Sequence, residues 1–342
     1  MFLPKTMNMT NGDGFDGDYQ VGYQDIVQAK FRLNGLVHRT PLVHSQTFSK
    51  MTGTELYLKM ENMQRTGAFK VRGAMNKIAT LTAAERAAGV VTASAGNHAQ
   101  GVALAAAQAG ISSTVVMPTG APEAKIMATE GYGSKVILHG ANYDEAFEEA
   151  TRISGTQGAT LVHAFDDPYV IAGQGTIGIE ILDELPKVEA IVVPVGGGGL
   201  ISGIAMAVKT VRPEIRVIGV QPVTASSGYD SWHNRALSRI EKPVSVADGL
   251  LVKRPGELPL KLMLDYVDDF VLVSEEEIAS SMVMLLERAK VLAEGAGAVC
   301  LAAVTNRELG LAGQNVALLV SGGNVDLLRW AQTLGARTVH HA

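Results

Sequence analysis

Ala190-Ile-Val-Val-Pro-Val-Gly-Gly-Gly-Gly-Leu-Ile-Ser-Gly-Ile-Ala-Met-Ala-Val208 contains no Asp, Glu, Lys or Arg. Ala190 to Val195 reads as a strand buried on both faces, Gly196 to Gly199 as a turn, and Leu200 to Val208 as the helix that follows. A membrane span needs ~20 apolar residues, but Pro194 and four consecutive glycines inside this run would leave backbone groups unpaired in lipid. Strand, glycine loop and helix therefore belong to a soluble α/β sheet. The loop aims backbone N–H groups and the positive end of a helix dipole at an anion, and glycine removes the side chains that would keep a phosphate away. Taken alone, the pattern serves either a phosphate site or a tight turn between strand and helix.

Outward from this stretch, short β-branched runs alternate with Ala-rich helical patterns, as a parallel sheet covered on both faces requires. Strands are expected at 56–59, 90–92, 113–117, 135–138, 160–162, 190–193, 216–220, 270–273 and 316–320. Helices are expected near 68–80, 97–109, 122–130, 142–155, 168–185, 200–210, 275–290 and 296–307. Ser274 followed by Glu277 is a capping box opening the seventh helix. Gly173-Gln-Gly-Thr-Ile-Gly178 matches the dinucleotide fingerprint by letter, but it follows a helix start at Pro168 and not a strand. Its glycines are expected to let helices pack closely. The arrangement predicts two α/β lobes with a cleft between them.

With 342 residues, 47% of them hydrophobic, the chain has enough apolar material for two cores. A formal net charge of −5 with no block of like charges argues against nucleic acid or an anionic membrane as partner. The uncharged stretch Ala87 to Pro122 is interrupted by Ser94, Asn97, His98 and Gln100, so burial within an α/β domain explains it. The one cysteine, Cys300, sits in an apolar helical run and reads as a small buried hydrophobe. Met1 to Gln20 has no apolar core of a secretion signal, which makes the cytoplasm the expected location. Asn11-Gly-Asp-Gly-Phe-Asp-Gly-Asp18 alternates like a calcium loop, yet Phe15 falls at a ligand position and no Glu closes it. A flexible tail over 1–22 is expected instead. The eight histidines show no metal-ligand spacing, and no metal is expected.

Arg65-Thr-Gly-Ala-Phe-Lys-Val-Arg-Gly73 places Lys70 after a Thr-Gly turn and an aromatic, at the start of a helix. A lysine there is usually a solvated surface residue; its companions change the reading. Ser94-Ala-Gly-Asn-His98 lies between the Val90 strand and an Ala-rich helix, so its N–H groups point toward the carboxyl ends of the strands, where open α/β sheets bind ligands. That turn suits a carboxylate, with Asn97 as donor, although helix capping explains Asn97 and His98 equally well. Together, Phe69-Lys-Val-Arg-Gly73, Ser94-Ala-Gly-Asn-His-Ala-Gln-Gly101, Gly196-Gly-Gly-Gly-Leu200 and Ser321-Gly-Gly-Asn324 resemble the fold type II pyridoxal phosphate enzymes, and within them the threonine dehydratases (threonine ammonia-lyases) of the short form.

The resemblance runs from about Tyr23 to Asp326. It implies a two-lobed α/β fold of mostly parallel sheets covered by helices, with the smaller lobe, 80–155, inserted in a large cofactor domain made of 23–79 and 156–342. It implies pyridoxal 5'-phosphate as cofactor, with Lys70 carrying the internal aldimine and acting as the catalytic base, and Phe69 beside the cofactor ring. Asn97 would bond the 3-oxygen, Gly196, Gly197, Gly198, Gly199 and Leu200 the phosphate, and Ser321 the pyridine nitrogen. Gly249 and Glu294 would line the cofactor pocket, and Ser94, Ala95, Gly96, Asn97 and His98 would receive the substrate. A hydroxyl at Ser321, unlike a carboxylate, does not stabilise a protonated pyridine nitrogen, which favours prompt loss of a β-leaving group.

Departures from neighbouring branches narrow the expectation. Serine racemases, which this chain resembles, have a serine where Ala95 stands, acting on the opposite cofactor face. Cysteine synthase and threonine synthase carry Lys-Asp-Arg where this chain has Lys70-Val-Arg72. Related racemases hold a divalent metal through an acid where this chain has Gln221. The expected activity is dehydration and deamination of L-threonine to 2-oxobutanoate and ammonia, with L-serine giving pyruvate. Other readings are a dehydratase for serine or 3-hydroxyaspartate, a serine racemase-like enzyme, or an amino-acid-binding protein that has lost the chemistry. Few residues follow Asp326, so inhibition by isoleucine through an appended domain is not expected. A homodimer or homotetramer is.

Overall fold

The computed structural model describes residues 20–327 and residue 330. The Asn11–Asp18 segment, and most of the tail expected to end at Gly22, lie outside the described residues. In chain order the strands are β1 (Leu42–His44), β2 (Glu55–Met60), β3 (Val90–Ala93), β4 (Ser113–Met117), β5 (Lys135–Leu138), β6 (Thr160–Leu161), β7 (Ala190–Pro194), β8 (Arg216–Pro222), β9 (Asp269–Val273) and β10 (Asn315–Val320). They form two sheets, β1-β2-β10-β7-β8-β9 and β5-β4-β3-β6. Every pairing is parallel except that of β1 with β2. The second sheet is built wholly from chain between β2 and β7, so the small lobe is an insertion in the large one. It takes in Thr160–Leu161, and thus reaches past the limit of 155 drawn from the sequence. That short strand ends the excursion because Thr160 and Leu161 pair with Val90 and Val91.

The large sheet's central strands are apolar throughout because helices cover both faces: all of β7 is buried, and so is β10 after Asn315. Its core is the largest apolar cluster, formed with the helices Gly199–Val211 and Gly295–Asn306, and Cys300 is buried within it. The helix Glu275–Met284 opens on the Ser274/Glu277 capping box. Its last part is not α-helical as expected to 290: a π-turn over Leu285–Ala289 intervenes, closing on Lys290 with φ +60°. Elements not read from the sequence are β1, with two of its three residues exposed, and helices such as Tyr23–Leu33, Gln46–Thr52, Ala83–Ala88, Ser227–Asn234 and Glu257–Tyr266.

Gly173, Gly175 and Gly178 lie on the helix Pro168–Glu184, which starts at Asp167, whose carboxylate accepts from Tyr169 and Val170 N–H. A Cβ at Gly173 would stand 2.7 Å from Arg72 O, one at Gly175 2.8 Å from Gly203 O, and one at Gly178 3.1 Å from the Ala207 methyl. The fingerprint-like motif is thus a packing surface. One side of it meets the helix Lys70–Ala79, and the other meets Gly199–Val211.

Arg72 fastens this crossing. Its guanidinium is fully buried and makes two fork-like pairs, with Glu61 (2.8 Å to each oxygen) and with Glu180 (2.6 and 2.9 Å). Lys59 is also fully buried; it pairs with Glu180 at 2.7 Å and donates to Thr40 O at 2.6 Å. Burial alone would keep Glu61 from ionising, but the Arg72 guanidinium outweighs it and holds the carboxyl below its ordinary range.

Breaking a buried pair by removing one partner costs more than the pair contributes, because the other charge stays buried. Arg72→Met should therefore lower the unfolding free energy of the apoprotein by about 3–5 kcal/mol in urea titration. A loss within the ~0.5 kcal/mol of ordinary surface substitutions would refute the clamp. Because Glu61 titrates below its unfolded value, its contribution should be full above that value and decline as pH falls through the folded one.

Candidate active site

The strands of both sheets end at one cleft of about 1770 Å³. Phe69, Lys70, Ser94, Ala95, Gly96, Asn97, His98, Gly196, Gly197, Gly198, Gly199, Leu200, Gly249, Glu294 and Ser321, all named from the sequence, line its wall. β10 delivers Ser321, β7 delivers the glycine loop, and β3 delivers the Ser94 turn.

Lys70 is brought there by a zipper of backbone bonds. Gly67, in the left-handed region at φ +71°, turns the chain; Gly323 N–H donates to Gly67 O at 2.9 Å and Phe69 N–H to Ser321 O at 3.1 Å. Lys70 is half-buried, and its Nζ donates to Ala164 O at 2.8 Å, 5.2 Å from the centre of the Phe69 ring. Burial pushes the ammonium down to about 8, against the opposing pull of the Glu294 carboxylate.

The Ser94 turn leads into the helix Asn97–Ala109. Ser94 Oγ accepts Gly96 N–H at 3.2 Å, and Ala95 packs against Ala99, Val115 and Met117. His98 is buried, with Nε2 3.0 Å from Val162 O. That carbonyl only accepts, so Nε2 carries the proton and Nδ1 is a lone pair. Burial, then the Lys70 charge, push His98 down to about 3.

The glycine loop is as closely fitted as its sequence implies. A Cβ at Gly197 would overlap the Phe165 ring, one at Gly198 (φ +92°) would stand 2.8 Å from Pro259, and one at Gly199 2.6 Å from Phe165 O. The helix begins at Gly199, and the first N–H groups of a helix have no intrahelical acceptor. On the facing wall Ser321 Oγ donates to Ala296 O at 3.2 Å. Glu294 is buried; burial and then the Asp248 carboxylate push it up to about 8. Asn97 Nδ2 donates to Glu294 Oε1 at 2.7 Å, and Asn324 Nδ2 donates to Asn97 Oδ1 at 2.9 Å and to Thr66 O at 2.7 Å.

Several residues of the site were not foreseen. Ala164 and Phe165 lie in the loop after β6, which carries no motif. Gln174 belongs to the glycine motif read as packing, yet it also lines the cleft. Asn324 ends the quoted Ser321-Gly-Gly-Asn motif without having been given a role. At the mouth, three ion pairs join the lobes: Lys125 to Asp248 at 3.0 Å, and Asp144 to Lys253 at 2.7 Å and to Arg239 at 3.2 Å. Among the described residues, no three His, Cys, Asp or Glu side chains lie close enough to hold a metal ion, and no helix is long and apolar enough to cross a membrane.

A phosphorylated aldehyde fits this wall. The helix that begins at Gly199 leaves its first N–H groups without intrahelical acceptors, and an amine of lowered basicity lines the same cleft. The profile of a family described as "Pyridoxal-phosphate dependent enzyme" matches residues 33–322. An L-threonine ammonia-lyase of Thermotoga maritima is 55% identical over 304 residues, 89% of this chain and 76% of that protein. A catabolic L-threonine dehydratase of Escherichia coli K12 is 47% identical over 93% of this chain and 97% of its own. Among solved structures, maize serine racemase superposes with a TM-score of 0.88 at 36% identity, covering 94% of this chain and 99% of that one.

Only the unprotonated amine of a lysine attacks an aldehyde. Reductive methylation of the apoprotein with formaldehyde and borohydride, followed by peptide mass spectrometry, should therefore modify Lys70 at a rate that rises with pH and levels off above about 8. A rate still climbing toward pH 10, like that of surface lysines, would contradict the lowered basicity.

Proposed function

Because the chain belongs to the pyridoxal-phosphate dependent enzyme family, we propose that it is an ammonia-lyase that converts L-threonine to 2-oxobutanoate and ammonia and, more slowly, L-serine to pyruvate. The observation that carries this reading is Lys70 in its cleft, in a chain whose relatives are named for threonine. An amine held on Ala164 O, in the cleft that the glycine loop also lines, is of no use to a protein that only binds amino acids.

In this reading the N–H groups of Gly196 to Leu200 would hold the phosphate, and Asn97, Ser321, Gly249 and Glu294, which line the same cleft, would hold the rest of the cofactor. What the group supplies when bound is an electron sink that makes the α-hydrogen of an attached amino acid acidic. Lys70 Nζ, with its basicity lowered toward neutral pH, takes that proton. Ala164 O keeps the amine aimed while its proton load changes. The Ser94–His98 turn receives the substrate carboxylate, with helix N–H groups as donors. Ser321 offers the ring nitrogen a hydroxyl and no charge, which favours loss of the β-hydroxyl over transamination. Ala95 offers no proton on the opposite face, which argues against the racemase reading suggested by the maize structure.

The role belongs with breakdown of threonine more than with isoleucine synthesis, because the relative matched nearly end to end bears a catabolic name. A cytoplasmic homodimer or homotetramer is part of the same proposal, and sedimentation velocity tests the assembly.

The purified protein should be yellow, and borohydride should fix the cofactor on Lys70. Colourless protein that stays inactive with added cofactor would overturn the proposal. Lys70→Ala should reduce 2-oxo acid release by at least about 10³-fold, and kcat/KM should rank threonine above serine and 3-hydroxyaspartate. Ala95→Ser should raise interconversion of serine enantiomers; unchanged exchange would remove the one-face argument.

A further inference from the structure

We propose that Asn324 is a positioning residue that decides which end of the Asn97 amide faces the cleft, an inference that rests on reading the cleft as a pyridoxal phosphate site. An asparagine amide can sit either way round, because oxygen and nitrogen exchange places with little change of shape. The two orientations are chemically opposite. One presents an N–H donor to a cofactor oxygen, the other a lone pair that repels it.

The hydrogen bonds fix the choice by a chain that starts at an atom with no freedom. Thr66 O is a backbone carbonyl and can only accept. Asn324 donates to it through Nδ2 at 2.7 Å, which sets the orientation of Asn324 itself. The same Nδ2 then donates to Asn97 at 2.9 Å, so the atom facing it must be Oδ1. Nδ2 of Asn97 is thereby turned to the other side, where one of its hydrogens meets Glu294 Oε1 at 2.7 Å and the second is left for an acceptor in the cleft that Asn97 lines.

Glu294 cannot make this decision. A carboxyl group accepts when ionised and both accepts and donates when protonated, so it suits either end of the amide. Burial leaves Glu294 close to the point where both forms are present near neutral pH. The arbiter is the neighbour that can only donate, and that is Asn324 Nδ2. Room for the device comes from two glycines. A Cβ at Gly67 would overlap Asn324 Oδ1, and one at Gly322 would overlap Glu294 Oε1.

A double-mutant cycle on cofactor binding tests the inference. Apoproteins of the wild type, Asn324→Ala, Asn97→Ala and the double variant are titrated with pyridoxal phosphate, reading the dissociation constant and the absorption maximum of the bound cofactor. Asn324→Asp is added as an isostere without side-chain N–H groups. Asn324→Ala should weaken binding between about two- and tenfold, the range of one hydrogen bond, with a shifted absorption maximum, and Asn324→Asp should weaken it at least as much. In the Asn97→Ala background, Asn324→Ala should change nothing further. An equal loss in both backgrounds would make Asn324 merely structural and overturn the inference, as would no loss in either. Wild-type apoprotein that takes up no cofactor would overturn the reading of the cleft itself, a result distinct from either of these.

Discussion

Everything near the site hangs on a buried guanidinium. Arg72 follows Lys70 by two residues on the same helix, and its five donors are committed to Glu61, Glu180, Thr176 and His38 O. Glu61 comes just after β2, and Glu180 lies on the long helix whose glycines receive the Lys70 helix. The clamp therefore fixes the height and rotation of the Lys70 helix relative to two elements of the large lobe. A shift of the amine would pull buried charges apart. Lysine could not replace arginine here, since one ammonium cannot satisfy two carboxylates in planar, paired fashion.

From that anchored helix the site is assembled by contacts across long stretches of chain. The small lobe contributes Asn97 and the turn before it; the large lobe contributes the glycine loop, Ser321 and Glu294. The lobes meet over Lys70, where the amide of Asn97 is bonded to Glu294 on one side and Asn324 on the other. The glycines of Ser321-Gly-Gly-Asn324 do not merely loosen a loop. Gly322 gives Glu294 its place, and a Cβ at Gly323 would stand 2.7 Å from Leu292 O, so the strand end packs closely against the residues before Glu294.

How much of this was legible in the sequence follows from where the information is stored. The central strands and the glycine loop could be read because burial on both faces writes continuous apolar runs, and Ser274 with Glu277 could be read because capping is local. β1 could not, since three residues on an exposed edge carry no pattern. The amphipathic helix Tyr23–Leu33 buries only Ile26, Ala29 and Leu33, a stripe too thin to stand out beside a polar stretch of sequence. Site residues grouped in contiguous motifs were legible. Ala164 acts on Lys70, 94 positions away, and Asn324, although inside a quoted motif, takes its role from Thr66, 258 positions away, and no spacing rule reports such pairs.

The three ion pairs across the mouth give the cleft a property that no single residue has. Their side chains are partly exposed, from 29% at Lys253 to 49% at Arg239, and solvent-accessible pairs of this kind contribute roughly 0–1 kcal/mol each. A fastening of that strength gives way to thermal motion and re-forms. Dissolved ions weaken it further, over a screening length of about 8 Å at physiological ionic strength. The buried clamp at Arg72 and this solvent-accessible clasp across the cleft thus differ in their response to the medium: added salt is expected to loosen the second and to leave the first in place.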